Sequence, residues 1–514
     1  MTTNANLYAL FRSRFPHDLD DCWLETADGQ GEPLYYSWRD LERGSAKIAN
    51  LLASLKLPAG ARIAAQVEKS AEALMLYLAT LRAGFVYLPL NTAYRSDEMA
   101  YFIENASPSV VVCTPQNFGW ITQIAFSRGV SQVFTLDEPQ AGNGGRNSGS
   151  LLARALHFAD NFDNVPRKAD DLAAILYTSG TTGRSKGAML THGNLASNIA
   201  TLHDCWQWRK GDVLLHALPL FHIHGLFVAA HGALWNGSKT IFLPKFDSAA
   251  VIRQLPRATV FMGVPTYYVR LLADPAFTRA TCATMRLFIS GSAPLLTETF
   301  TQFVERTGHT ILERYGMSET AMLTSNPYDG ERRAGTVGPA LPGVSVRVTD
   351  GEGKPCAAGD IGDIQVQGPN VFKGYWQMPE KTAEEFTADG YFKTGDVGKF
   401  DADGYLSIVG RSKDLIISGG YNVYPKEIES VIDDMAGVQE SAVVGVPHPD
   451  FGEAVTAIVV PRKGDTLSEA AIIAELKSKV ANFKVPKRVH FVDELPRNTM
   501  GKVQKNLLRE RFAT

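Results

Sequence analysis

Residues 175–187 read ILYTSGTTGRSKG, an apolar run followed by hydroxyl side chains, glycines and a lysine. Hydroxyls and exposed backbone amides donate hydrogen bonds, and glycine lets a ligand approach the backbone closely. A loop of this kind after a strand is a cradle for phosphate oxygens. It is not a P-loop: counted from Gly180, Ser185 precedes Lys186 and Gly187 follows it, whereas that motif needs Gly-Lys-Ser/Thr. Taken alone, the cluster is equally well a Gly/Ser/Thr surface turn.

The elements around the loop decide how it is held. Between about residues 40 and 270, β-rich runs such as RIAAQVE, VVVCTP, AAILYTS, KTIFLPK and ATVFMGVP alternate with stretches of helical spacing, SAEALMLYLATLRAG and LTHGNLASNIATLHDCW among them. That rhythm predicts parallel α/β sheets. QAGNGGRNSGS (140–150) reads as a loop within the same rhythm. From about 335 to 410, short alternating strands separated by Gly, Asp and Pro predict a small β-barrel or meander. The segment 411–514 has strands and helices of its own and the size of a small domain. The expected organisation is therefore an α/β protein. An N-terminal domain (1–410) combines two α/β subdomains with the small barrel, and an α+β C-terminal domain (411–514) follows.

Composition narrows the class. The 514 residues are 45% apolar and 20% charged with a formal charge of −3, so no basic footprint for nucleic acid or an anionic membrane is present. No apolar run reaches membrane-spanning length. The N-terminal residues lack a signal-peptide core, and the five cysteines are scattered without a C-x-x-C spacing. A reduced, cytoplasmic protein without a cysteine metal site is expected.

Further clusters follow the first loop in order: HALPLFHIHG (216–225), RLFISGSAPL (286–295), LERYGMSET (312–320), YFKTGDVGKF (391–400), GRSKDLIISGGYNVYPKEIE (410–429) and PRNTMGKVQK (496–505). In this order and spacing they resemble the adenylate-forming superfamily of acyl-CoA synthetases, adenylation domains and luciferases, over essentially the whole chain. The resemblance implies that a carboxylate attacks the α-phosphate of ATP, giving an acyl-adenylate and pyrophosphate, and that a thiol then displaces AMP. Positioning and electrostatic stabilisation carry such chemistry.

The resemblance also implies roles. Thr178, Ser179, Gly180, Thr181, Thr182, Gly183 and Lys186 hold the β- and γ-phosphates, and Glu319 with Thr178 binds Mg²⁺, a hard cation that prefers oxygen ligands. Gly291, Ser292, Ala293, Glu313, Arg314, Tyr315, Gly316, Met317 and Ser318 form the nucleoside pocket, with Tyr315 against adenine. Asp396 and Arg411 reach the ribose. Lys502 bridges the carboxylate and α-phosphate during adenylation, and its acylation by a lysine acyltransferase, reversed by a deacylase, would switch that step off. One lysine on a small domain requires the domain to leave before thioester formation. The family hinge position is Lys413, and Gly420 opens the tunnel for the CoA pantetheine.

For the acid, Arg286 and Arg314 stand out, because a buried arginine is costly unless paired. A second carboxylate on the substrate suits a bidentate fork. A structural salt bridge, with Glu313 as partner, is the alternative for either. The motifs LPKFD, ERYGMSET, SNPYDG, GPNVFKGYW and PRNTMGKVQKNLLRE resemble malonyl-CoA synthetases, which implies malonate, with methylmalonate tolerated. His222 and His224 read either as a metal pair or, for His222, as a gate between acyl pocket and thiol tunnel. Ligation of another short acid to CoA, or loading of a separate carrier protein, are the competing expectations.

Overall fold

The computed structural model describes residues 4–27, 31–137, 149–178, 185–418, 421–448, 452–498 and 501–513. Two large sheets dominate the N-terminal part. The first has six strands in the order Gln132–Thr135, Val110–Cys113, Arg62–Gln66, Val86–Pro89, Leu172–Thr178 and Lys186–Thr191, parallel except for the last, antiparallel pair. Strands buried on both faces need continuous apolar sequence, which is why Val110–Cys113 reads VVVC. Helix Ala71–Arg82 starts at Ser70, whose hydroxyl accepts from the Ala73 amide, and every one of its residues is buried. A helix enclosed on all sides shows no polar stripe.

The second sheet has eight strands, Ala321–Ser325, Ile311–Met317, Leu287–Ser290, Val260–Gly263, Val213–His216, Lys239–Phe242, Cys22–Ala27 and Pro33–Ser37, antiparallel only at its two outermost pairings. One apolar core unites residues of both sheets and the helices around them. Lys69, just past a strand of the first sheet, donates to the His216 carbonyl at 2.9 Å and ties the two sheets at their carboxyl ends. The short alternating strands after residue 344 form a four-stranded antiparallel meander, Ser345–Thr349 to Leu406–Arg411, in sequence order. Residues 416–512 then build separate cores around the long hairpin of Val438–His448 and Gly452–Pro461.

The fold corrects one expectation about the acid. Arg286 precedes strand Leu287–Ser290, whereas the nucleoside loop follows it. At roughly 3.3 Å per residue, Arg286 and Gly291 stand about 16 Å apart, at opposite ends of the sheet. The Arg286 fork grips Asp212, with Nε to Oδ1 at 2.7 Å and Nη2 to Oδ2, while Nη1 donates to the Trp206 carbonyl at 3.2 Å. Asp212 also accepts from the Thr259 hydroxyl at 2.9 Å and the Arg209 amide at 2.7 Å. Burial would raise its carboxyl, but these donors, Arg286 foremost, hold it below the usual range. The pair therefore pins the amino ends of three neighbouring strands, and Arg286 is not a substrate arm.

Side-chain exposure at this pair is 14% for Arg286 and 4% for Asp212. Breaking a buried pair leaves one charge uncompensated, a loss of about 3–5 kcal/mol. Arg286→Ala is expected to lower the denaturant midpoint and to depress turnover of every acid in parallel. Undiminished stability with a loss confined to one acid would return Arg286 to the acyl pocket.

Candidate active site

The second sheet delivers its functional groups at the carboxyl ends of its parallel strands, where crevices form in open α/β sheets. After Ser290 comes Gly291, where a Cβ would lie 2.5 Å from the Arg314 guanidinium carbon. A side chain there would displace the Arg314 guanidinium. Ser292 follows with φ 73°, a left-handed turn. Strand Ile311–Met317 alternates its side chains across the sheet, so Glu313 and Tyr315 face away from Arg314. Glu313 Oε1 accepts from the Leu295 amide at 3.1 Å and thereby fixes the Gly291–Leu295 turn. Burial pushes its carboxyl up to about 8, so it is largely protonated near neutral pH. It makes no ion pair with Arg314.

Tyr315 donates its hydroxyl to Asp396, and Arg411 Nε meets the other Asp396 oxygen at 2.9 Å. Asp396 and Arg411 are register partners on the last two strands of the meander. Three residues from distant positions therefore form one chain at the expected ribose site. A β-carbon at Gly316 would approach the Ala321 carbonyl to 2.0 Å, which explains the glycine between Tyr315 and Met317. Met317 donates its amide to Thr320 Oγ1 at 3.3 Å, and Ser318 follows at the strand's end.

On the phosphate side, Thr178 and Lys186 are cross-strand partners at the root of the loop. Ser179, Gly180, Thr181, Thr182 and Gly183 lie outside the described residues, as does Gly420. Lys186 Nζ sits 4.2 Å from the Tyr375 ring centroid and 3.5 Å from Glu385 Oε1. The Tyr375 hydroxyl donates to Glu319 Oε1 at 3.1 Å. Burial raises the Glu319 carboxyl, against the pull of that hydroxyl and of Lys186. A carboxylate oxygen such as that of Glu319 is the ligand type that a hard divalent cation such as Mg²⁺ prefers. Tyr375 and Glu385 were not identified from sequence. Tyr375 lies within the quoted GPNVFKGYW, but an aromatic there reads as core.

Lys502 enters from the C-terminal domain. At Gly501, with φ 73°, a Cβ would come 3.1 Å from Thr266 Oγ1 of the large domain, so the lysine loop rests against it. Burial and then Arg411 push the Lys502 ammonium down to about 8, opposed by Asp396 and Glu319. Lys502 keeps an exposed flank although protein groups surround it, as in a cleft rather than a core. Arg462 pairs with Glu298 across the two domains, and Arg509 reaches Asp414 beside Lys413 at 2.6 Å. Lys413 is exposed at the surface, and desolvation by its neighbours and Arg411 depress its ammonium.

Burial lowers the imidazoles of both His222 and His224 below the ordinary value. Burial, with Lys502 and Arg314 adding, takes His222 down to about 3. His224 Nδ1 lies 3.3 Å from Ser292 Oγ and its amide donates to His222 Nδ1 at 3.3 Å, within a π-helical stretch, His224–Ala230, of the kind often found at functional sites. Among the described residues no cluster of three or more His, Cys, Asp or Glu side chains could hold a metal.

The geometry defines an adenylating site, and comparison agrees. Residues 25–376 match the model of the AMP-binding enzyme and residues 427–502 that of the AMP-binding enzyme C-terminal domain. The chain belongs to the AMP-binding enzyme family. It is 38% identical to malonate–CoA ligase of Arabidopsis thaliana over 99% of this chain and 89% of that protein. It is 35% identical to a feruloyl-CoA synthase of Amycolatopsis over 94% of each. Among solved structures, ATP-bound MatB from Rhodopseudomonas palustris is 56% identical with a TM-score of 0.94, covering 99% of both chains. The apo form of the same protein superimposes at 0.84.

The depressed ammonium gives a direct check. Trace acetylation of Lys502, followed by peptide mass spectrometry across pH, should have its midpoint near the depressed value rather than at about 10.4 for an ordinary lysine. A non-hydrolysable ATP analogue should raise the midpoint, because phosphate anions favour the charged form. An ordinary midpoint in the free enzyme would contradict the placement.

Proposed function

We propose that the protein catalyses ATP-dependent, AMP-forming ligation of malonate to coenzyme A through an acyl-adenylate, with methylmalonate as a secondary substrate. One observation carries the choice of acid. Arg314 is 3% exposed, and among the described residues its Nε and Nη2 have no hydrogen-bond partner. Burial lowers its guanidinium to about 9, despite Tyr268 and Glu313 nearby. Its charge is felt by His222, His224 and Lys502, the groups at the acyl side of the cleft. A substrate with a second carboxylate supplies the missing acceptors in bidentate geometry. The likeness to a plant malonate–CoA ligase supports the same reading.

In this scheme one malonate carboxylate oxygen attacks the α-phosphorus and pyrophosphate leaves. Lys502 donates to both converging anions. Asp396 and Arg411 orient the ribose, Tyr315 lies against adenine, and Gly291, Ser292, Ala293, Gly316, Met317 and Ser318 line the nucleoside. Lys186, Thr178 and the glycine-rich loop hold the β- and γ-phosphates. Glu319, with Thr178, would hold Mg²⁺, which supplies neutralising charge on those phosphates. Residues 411–514 then rotate about Lys413. The CoA sulfur, entering past Gly420 with His222 as gate, attacks the acyl carbon and expels AMP. Acylation of Lys502 would block the first step alone. A cytoplasmic location fits five cysteines that are all free, and no helix among the described residues is long and apolar enough to cross a membrane.

The test is AMP formation with CoA across a panel of mono- and dicarboxylates, in wild type and Arg314→Met. Truncating one partner of a buried charge pair costs about 2–5 kcal/mol, roughly 30- to several thousand-fold. That loss is expected in kcat/KM for malonate, whereas the poor turnover of propionate should stay level or rise. Equal losses for both acids with an unaltered melt would overturn Arg314 as the carboxylate partner.

A further inference from the structure

Among the described residues, the hairpin that carries Lys502 is tied to the body of its domain by the Arg497 guanidinium, by Val503 packed on the core and by Lys505. Within the hairpin, the Asn498 amide donates to the Lys502 carbonyl at 2.9 Å and the Gly501 amide to the Asn498 carbonyl at 2.9 Å. The Lys502 amide donates to Asn498 Oδ1 at 3.0 Å, and Arg497 bridges to Val503. These bonds lie within the hairpin, whereas Arg497 links it to the rest of the domain. Its Nη1 donates to the Gly501 carbonyl at 2.5 Å, in the peptide that leads into Lys502, and its Nη2 pairs with Glu440. Glu440 belongs to strand Val438–His448, half of the hairpin around which this domain is built. Both side chains are mostly covered, at 28% and 21% exposure. On the far flank Lys505 reaches Glu429 at 2.6 Å, and Glu429 also accepts from the Val443 amide at 2.9 Å on the same strand.

We propose that Arg497, anchored by Glu440, is a positioning residue for Lys502: it sets the height and tilt of the lysine hairpin in the adenylating arrangement. The inference rests on the adenylation role given above to Lys502. A planar fork suits the task, because two donors on one rigid group relate the Gly501 carbonyl to the strand. Lys502 ends a long, flexible stem, so the precision of its ammonium depends on where its backbone stands. Displacing a catalytic group by about 1 Å can cost about 100-fold in rate. Once the domain rotates and Lys502 leaves the reacting atoms, the tie no longer matters to the second step.

The experiment measures both half-reactions in the full-length enzyme: ATP–pyrophosphate exchange with malonate, and thioester formation from supplied malonyl-adenylate and CoA. Arg497→Met is expected to lower the kcat of exchange about 10- to 100-fold, with KM for ATP, thioester formation and the thermal melt unchanged. Arg497→Lys, which keeps the charge but not the fork, should recover part of the loss. Glu440→Gln should lower exchange in the same direction, and it decides the matter by the same criteria if Arg497→Met does not fold. Undiminished exchange in the Arg497 and Glu440 variants would overturn the proposal, as would equal loss of both half-reactions with an unaltered melt. If the wild type exchanges pyrophosphate with another acid and not with malonate, the substrate reading fails, while the role of Arg497 is read with that acid.

Discussion

The arrangement depends on an uneven balance of charge inside one cleft. Lys502, Arg314, Arg411 and Lys186 converge there, while the carboxylates facing them are few and partly committed: Asp396 to Tyr315 and Arg411, Glu385 to Lys186. Glu313, pushed up to about 8, contributes little negative charge. Burial and mutual repulsion depress Lys502 and burial depresses Arg314, although neither cost is forced by the fold, since apolar side chains could fill the same volume. On the proposed function, the cost is offset when polyanions enter: triphosphate oxygens for Lys186, an α-phosphate for Lys502, and a distal carboxylate for Arg314. The protein's overall charge of −3 conceals this local excess.

The two-sheet core turns that charge set into geometry. Parallel strands bring the ends at Ser290 and His216 and the turn after Met317 to one rim, while the Asp212–Arg286 pair secures the opposite rim. The meander adds Asp396 and Arg411 as register partners. Lys502 comes from the part of the chain beyond residue 415, which has cores of its own. Among the described residues, the contacts of residues 411–514 with the large domain include polar ones: Arg462 with Glu298, and Ser412 Oγ donating to Asp363 at 2.9 Å. Contacts of this kind are broken and remade more readily than a dry apolar seam.

Much of this was legible in sequence, and the division has a physical basis. Lys502, Glu319, Asp396 and the residues around Tyr315 lie in short contiguous motifs whose types and order carry the chemistry, and the buried strands announce themselves as apolar runs. Arg286 was misplaced because its partner, Asp212, is 74 positions away and nothing local marks the pair. The same non-local pairing hid Glu385 beside Lys186 and Glu440 beside Arg497. For Arg314, sequence left two roles open. The side of the strand it occupies, opposite Glu313, removes the salt bridge that the two adjacent letters suggest.

The central claim is that Lys502 serves the first chemical step from a domain that then departs. Lys502→Ala, assayed separately for ATP–pyrophosphate exchange and for thioester formation from pre-made malonyl-adenylate, addresses it. The account predicts that exchange is abolished while thioester formation is largely spared. Equal loss of both half-reactions in a folded variant would contradict it.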